Sequence, residues 1–139
     1  MLEFVATFCT GVFFGAAAYV TIVQHPAALA AGSGTAGRFF PPMYARAAPL
    51  QAGLAVMGAA CALVAGLVGS GGTWVLGALL LSGVVPFTLV RIRPVNELLL
   101  APDRDPDAED TKALLQRWGA LHAVRTGLSG LAYVIFLVS

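Results

Sequence analysis

The polar residues that could do chemistry in this chain are few, and several recur at helical spacing near its C-terminal end. They are Trp118, His122, Arg125 and Ser129, and with Ala132 they follow one another in steps of four, three, four and three residues. This rhythm places them on one face of an α-helix. The residues between them are apolar, and histidine or arginine at membrane depth is costly, so it usually faces the bundle interior. We therefore expect the functional site on this stripe.

Composition identifies a membrane as the setting of the stripe. Of 139 residues, 58% are hydrophobic and 11% are charged, and the mean hydropathy is +0.83. A soluble domain has about 25% charged residues. The formal net charge is +1 and no basic patch is present, so no nucleic acid is expected as a partner. The sequence predicts an integral membrane protein of one domain, with the lipid bilayer as its partner.

Four apolar stretches are each long enough to cross a bilayer, which takes about 20 residues. They cover roughly residues 2–30, 44–68, 73–100 and 111–138. The segment Gly32–Gly37 predicts a loop, Pro41 and Pro42 a helix start, and Gly69–Gly72 a tight turn. The sequence therefore predicts an all-α, integral membrane four-helix up-and-down bundle.

Basic residues flank two of the three predicted loops. The positions are Arg38 and Arg46 beside the first loop, and Arg91, Arg93, Arg104, Lys112 and Arg117 beside the third. The second loop and both tails have none. The positive-inside rule then predicts loops 1 and 3 in the cytoplasm and both termini outside, in an inner or plasma membrane.

Small residues predict which face of the first helix packs against its neighbours. Gly11, Gly15, Ala18, Ile22 and His25 follow the same rhythm of four and three residues. Small side chains let helix backbones approach closely in lipid. We therefore expect this face, and His25 with it, to point into the bundle.

The up-and-down topology collects the unusual polar side chains in one half of the bundle. Helices 1 and 3 end, and helices 2 and 4 begin, beside loops 1 and 3. The residues placed there are His25, Tyr44, Arg46, Gln51, Thr88, Asn96, Glu97, Trp118, His122 and Arg125. Structural roles are the alternative for some of them, because Glu97 could pair with Arg93 one turn earlier. A polar-lined pocket near the cytoplasmic interface is the expected site.

Four short motifs follow one another across the predicted spans. They are Gln24-His25-Pro26, Tyr44-x-Arg46-Ala-x-Pro49-Leu-Gln51, Pro86-Phe87-Thr88…Pro94-x-Asn96 and Trp118-x-x-Leu121-His122-x-x-Arg125. In this order they resemble the DUF1772 family of small membrane proteins, also called the anthrone oxygenase-like family. The resemblance covers nearly the whole chain and implies a four-span bundle. It also implies oxidation of anthrones to anthraquinones with molecular oxygen and without a cofactor.

That reaction indicates what the polar residues of the predicted pocket would do. An anthrone or another enolisable aromatic molecule loses a proton, and the electron-rich carbanion passes one electron to oxygen without a metal. Recombination gives a peroxide, which loses water to leave the quinone. The protein must supply a base, a clamp for the oxyanion and a dry, aromatic-walled slot.

Roles for the predicted site follow from these needs. We expect His25 or His122 as the base, because imidazole titrates near physiological pH, with Arg125 and Asn96 holding the oxyanion. A hydrophobic aromatic small molecule is the expected partner. The residues expected to bind it are Trp118 and Tyr44, by stacking on flat rings, together with Gln51, Thr88 and Arg46.

Two other classes of protein stay open at this point. His25 and His122 could ligate a haem on both faces, or bind a transition metal together with Glu97. The other class is a non-catalytic membrane subunit or a small-molecule transporter. A single bundle of this size is small for a carrier, so that role would call for a homo-oligomer.

Overall fold

Four long helices, each apolar enough to cross a membrane, make up most of the chain. In the computed structural model, which describes residues 1–139, α1 spans Leu2–Ala30, α2 Ser33–Ser70, α3 Gly72–Leu99 and α4 Thr111–Val138. The structure has no strand. The all-α fold with four apolar helices that the sequence predicts is thus confirmed.

The helices pack in a square. α1 packs against α2 and α4, and α3 also packs against α2 and α4, so that α1 and α3 lie diagonally opposite. Each connection reverses the chain direction, which gives the up-and-down order. Two of the connections are very short. Ala31 and Gly32 join α1 to α2, and α2 passes into α3 through the predicted glycine turn, since Gly69 at the end of α2 already has a non-helical φ of 118°. Gly32 and Gly71 have φ angles of 109° and 104°, which favour glycine over other residues.

The start of α2 differs from the sequence prediction. The helix begins at Ser33, well before residue 44, so most of the predicted Gly32–Gly37 loop is helical. Gly34 and Gly37 serve close packing, since a Cβ on either would press against the loop between α3 and α4. Arg38 pairs with Asp107 of that same loop. The loop therefore holds the first turns of α2 as a helix, and the prolines predicted to begin it lie inside it.

Two helices widen into a π-helical turn before a proline. The turns are Val20–Gln24 in α1 and Thr88–Ile92 in α3, and Pro26 and Pro94 each follow two residues later. Proline has no N–H and its ring crowds the carbonyl one turn earlier, so a wider turn accommodates it. A π turn also inserts one residue into the helix and shifts the phase of the faces.

The predicted packing face of α1 is wrong in part. Ile22 is 72% exposed, and Gly15 is exposed with no atom close to it. The buried face instead carries Phe13, Ala17 and Val20. The large Phe13 ring is buried among residues of the other three helices. The regular steps of four and three residues from Phe13 to Ala17 and Val20 leave Ile22 on the outer side of α1.

Apolar clusters fill both ends of the bundle and leave the polar residues between them. Near the turn between α2 and α3, the rings of Trp74 and Phe136 stack with centroids 5.0 Å apart. Near the other two connections, Phe40 meets Trp118 edge-on at 5.1 Å. The polar side chains collect next to this second cluster, which is the half of the bundle that the sequence predicts.

Candidate functional site

A cavity of about 260 Å³ lies in the polar half of the bundle. Residues of all four helices line it, and most of them are apolar. The remaining lining residues are Tyr44, Gln51, Thr88, Asn96, Trp118, His122 and Arg125. The structure therefore brings together the predicted site residues in one cavity, except for His25 and Arg46.

Asn96 connects two aromatic walls of the cavity. The indole Nε1 of Trp118 donates a hydrogen bond to Asn96 Oδ1 at 2.8 Å, and Asn96 Nδ2 donates to the Tyr44 hydroxyl at 3.2 Å. The three residues belong to α4, α3 and α2, so this chain fixes the rings of Trp118 and Tyr44 relative to each other. Because the Tyr44 oxygen accepts from Asn96, its own hydrogen is free to be donated elsewhere.

Arg125 is a cation within the bundle that lacks an acidic partner. Its Nη2 donates to Gln51 Oε1, and its Cζ lies 5.3 Å from the centre of the Phe13 ring. The ion pairs of the structure all involve other residues, and Arg125 Nε is buried without a hydrogen-bond partner. A charge in such a place is costly, so the site favours a ligand that carries negative charge.

His122 is held in one tautomer by two threonines. The Thr126 hydroxyl donates to the carbonyl of His122 at 3.0 Å, so its oxygen must accept the 2.9 Å bond from the Thr21 hydroxyl. The only hydrogen of Thr21 is then used, and Thr21 must accept the 2.9 Å bond from His122 Nδ1. Hydrogen-bond capacity thus assigns the proton to Nδ1 and leaves the lone pair on Nε2.

His25 packs against Trp118 and does not line this cavity; it lines a small separate pocket beside Trp118. Its Nε2 donates to the carbonyl of Leu115 at 2.9 Å, and its ring centroid lies 5.1 Å from that of Trp118. A Cβ on Gly119 would overlap this imidazole, so Gly119 makes room for it. The expectation that both histidines share one cavity is not met, because the π turn before Pro26 redirects this part of α1.

Arg46 and Glu97 also lie outside the cavity. Arg46 is exposed and donates to the carbonyl of Pro42 at 3.1 Å. Glu97 accepts from Arg93 at 2.8 Å, one turn earlier on the same helix, which is the structural alternative considered for it.

The geometry does not fit either metal-based alternative. No group of three His, Cys, Asp or Glu residues is placed to hold a metal ion, so His25, His122 and Glu97 do not form a ligand set. An axial haem pair does not fit, since both imidazoles pack against the Trp118 ring, with His122 at 4.8 Å. The Nε2 of His25 is also engaged with Leu115.

Sequence reasoning missed the two threonines that orient His122. Thr126 follows His122 by four residues on one helix, and this spacing was a usable signal. Thr21 follows the buried Ala17 by four residues. It was missed because the predicted α1 face was based on Gly15 and Ile22 rather than on Phe13 and Ala17.

The fold and the cavity define a four-span membrane protein with a buried polar site. The family model described as anthrone oxygenase matches residues 40–135, which is more than half of the chain. The chain therefore belongs to the anthrone oxygenase family, and this supports an oxygenase-type activity in a membrane. None of the curated proteins and none of the solved structures compared with the chain matches it. The matched region includes every polar residue of the cavity lining.

Proposed function

We propose that this protein oxidises a flat, enolisable aromatic molecule of the anthrone type with molecular oxygen and without a cofactor. The single observation that carries the proposal is Arg125, an unneutralised cation that lines the same cavity as the imidazole of His122. A cation and a base lining one apolar cavity are what the formation of an aromatic enolate requires.

Arg125 would stabilise the enolate oxygen. In the resting protein its only side-chain hydrogen-bond acceptor is the neutral amide of Gln51. An anionic oxygen would supply the missing negative charge in a cavity lined mostly by apolar residues, where electrostatic stabilisation is stronger than in water. Because the charge appears only when the substrate ionises, this interaction favours the anion over the neutral ketone.

His122 would remove the proton. The threonine pair leaves a lone pair on Nε2, which is the atom that a general base must present. The proton of the substrate methylene goes to Nε2, and the resulting imidazolium stays hydrogen-bonded to Thr21 through Nδ1. His25 lines a separate pocket beside Trp118 and its Nε2 is engaged with Leu115, so we assign the role of base to His122.

The remaining steps balance without another reactant. The enolate gives one electron to oxygen, and the superoxide and the carbon radical combine to form a C–O bond. The imidazolium returns its proton to the peroxide anion. Loss of the second methylene hydrogen and cleavage of the O–O bond release water and leave the new carbonyl, so one oxygen molecule is consumed for each quinone formed.

The size and walls of the cavity support a small flat substrate. Its volume of about 260 Å³ is just below the roughly 300–1,000 Å³ typical of sites for drug-sized ligands. Trp118 and Tyr44, joined through Asn96, give the ring two aromatic walls. Asn96 thus acts here as a positioning residue.

Oxygen consumption with anthrone tests the proposal. We expect the purified protein in lipid nanodiscs to consume oxygen and form anthraquinone, and Arg125→Met to lose on the order of a hundredfold in turnover. Arg117→Met is the matched control, because Arg117 is exposed on the same helix and outside the cavity. Equal helicity by circular dichroism would show that both variants fold. Wild-type turnover in Arg125→Met would overturn the proposal.

A further inference from the structure

The cavity opens sideways between α2 and α3. Besides buried residues, its lining includes Val56, Val85 and Leu89, which are 62%, 43% and 53% exposed. A residue that both lines a cavity and lies on the outer surface marks an opening. Val56 belongs to α2 and the other two to α3, so the opening lies between these helices.

This opening is at the depth of the lipid chains. The hydrogen bonds among Tyr44, Asn96 and Trp118 place these residues at one level. The exposed Arg46 of α2 and the exposed Arg91 and Arg93 of α3 lie within five residues of it in sequence. Exposed arginines in a membrane protein belong near the headgroups. Val56 lies ten residues from Arg46 and Val85 lies six residues from Arg91. At 1.5 Å per residue, these two residues of the opening are about 15 Å and about 9 Å further into the bilayer than the arginines.

The end of the bundle that carries the α1–α2 and α3–α4 connections is closed. Phe40, Ile92, Val95 and Leu115 are buried there and pack in one cluster with Trp118. A ligand that approached from the loops would have to pass through this cluster. The side of the cavity that faces the lipid is less obstructed than this end. Ala48 and Ala52 of α2 line the cavity there, and their side chains are single methyl groups.

The chemistry of the lining changes from the interior to the opening. Gln51, His122 and Arg125 supply polar groups inside, whereas Val56 and Leu89 at the opening are apolar. A molecule that matches this arrangement has an oxygen-bearing ring at one end and hydrocarbon at the other.

We propose that the cavity receives its ligand from the bilayer through the opening between α2 and α3, and that the ligand carries an aliphatic substituent which remains in the lipid. The inference rests on the proposed function for the enolisable ring and adds the substituent and the route of entry. Neither follows from the ring chemistry itself.

Binding of two alkylphenols tests this inference without any turnover. The probes are 2-bromo-4-butylphenol and 2-bromo-4-dodecylphenol, whose bromine quenches tryptophan on contact. In a Trp74→Phe protein, Trp118 is the only tryptophan and it lines the cavity. The protein is held in phosphatidylcholine nanodiscs, and each dissociation constant is expressed as a mole fraction in the lipid.

We expect the mole-fraction dissociation constants of the two probes to agree within about threefold. The chain lies in hydrocarbon before and after binding, so its length contributes little to the mole-fraction constant. A closed cavity of about 260 Å³ has no room for the ring and a dodecyl chain together. Dodecyl binding weaker than butyl binding by more than about tenfold, or no saturable quenching by either probe, would overturn the inference.

Two alanine substitutions on α2 locate the route. Ala52→Phe narrows the opening and should weaken dodecyl binding by at least about tenfold. Ala60→Phe is the matched control, because Ala60 is also exposed on α2 but does not line the cavity, and we expect it to bind like the parent. Unchanged binding in Ala52→Phe would overturn the route. If both probes bind but the protein consumes no oxygen with anthrone, the proposed function is overturned and this inference stands.

Discussion

Replacing Thr21 by valine tests how His122 becomes a base. Valine keeps the shape of threonine and removes the oxygen that accepts the 2.9 Å bond from His122 Nδ1. A buried N–H without a partner costs about 1–3 kcal/mol, and each 1.4 kcal/mol is a factor of about ten. The proton should therefore move to Nε2, and the fraction of His122 with a free Nε2 should fall by about ten- to a hundredfold.

Thr126→Val should have the same effect by another route. Without the Thr126 oxygen, Thr21 no longer donates to it at 2.9 Å, and the Thr21 hydrogen can be donated to His122 Nδ1. This donation favours the tautomer with its proton on Nε2. The two variants remove different atoms and should give the same tautomer.

Nitrogen NMR of ¹⁵N-histidine-labelled protein reads the tautomer directly. The chain has only two histidines, so a His25→Gln sample assigns the signals. We expect the Nδ1-protonated form in the parent, the Nε2-protonated form in both threonine variants, and a parallel loss of oxygen consumption. Thr7→Val is the control on α1, since Thr7 lies in an outer groove away from the cavity. Lost turnover with an unchanged tautomer would refute the role of the threonines.

Three further predictions concern the base, the cofactor and the membrane orientation. His122→Gln should lose turnover by on the order of a hundredfold or more, whereas His25→Gln should retain most of it, and the reverse order in oxygen consumption would move the base to His25. Activity should survive chelators, and no Soret band should appear; activity lost with EDTA and restored by one metal would favour a metal enzyme. A cysteine at Gly72 in a Cys9→Ala, Cys61→Ala protein should react with an impermeant maleimide from outside the cell, and labelling only from the cytoplasm would reverse the predicted orientation.

The sequence predicts the number of helices well because each apolar stretch has to satisfy its backbone within the bilayer. The stripe from Trp118 to Ala132 is also correct in phase, since α4 contains no proline and no π turn. Its regular rhythm carries directly into the bundle. His122 and Ser129 are accordingly buried.

The sequence prediction is wrong where packing against neighbouring segments outweighs the local preference of a residue. Gly34 and Gly37 indicated a loop, but the packing of Asp107 and its neighbours makes helix possible there. On α1, the small residues Gly11 and Gly15 indicated the inward face, but the large Phe13 is the residue that is buried. Ile22 was therefore placed inward and Thr21 was overlooked. Which face of a helix points inward depends on how the side chains of the neighbouring helices fill the space between them, and residue spacing within one helix does not show this.

The absorption spectrum of anthrone bound under anaerobic conditions tests the central claim most directly. Without oxygen the reaction should stop at the ionised substrate, whose extended anion absorbs at longer wavelength than the neutral ketone. We predict the anion spectrum for the parent protein at neutral pH, and its loss in Arg125→Met with anthrone still bound. A neutral spectrum in the parent protein, with binding confirmed by quenching of Trp118 in the Trp74→Phe protein, would contradict the claim that His122 and Arg125 ionise the substrate.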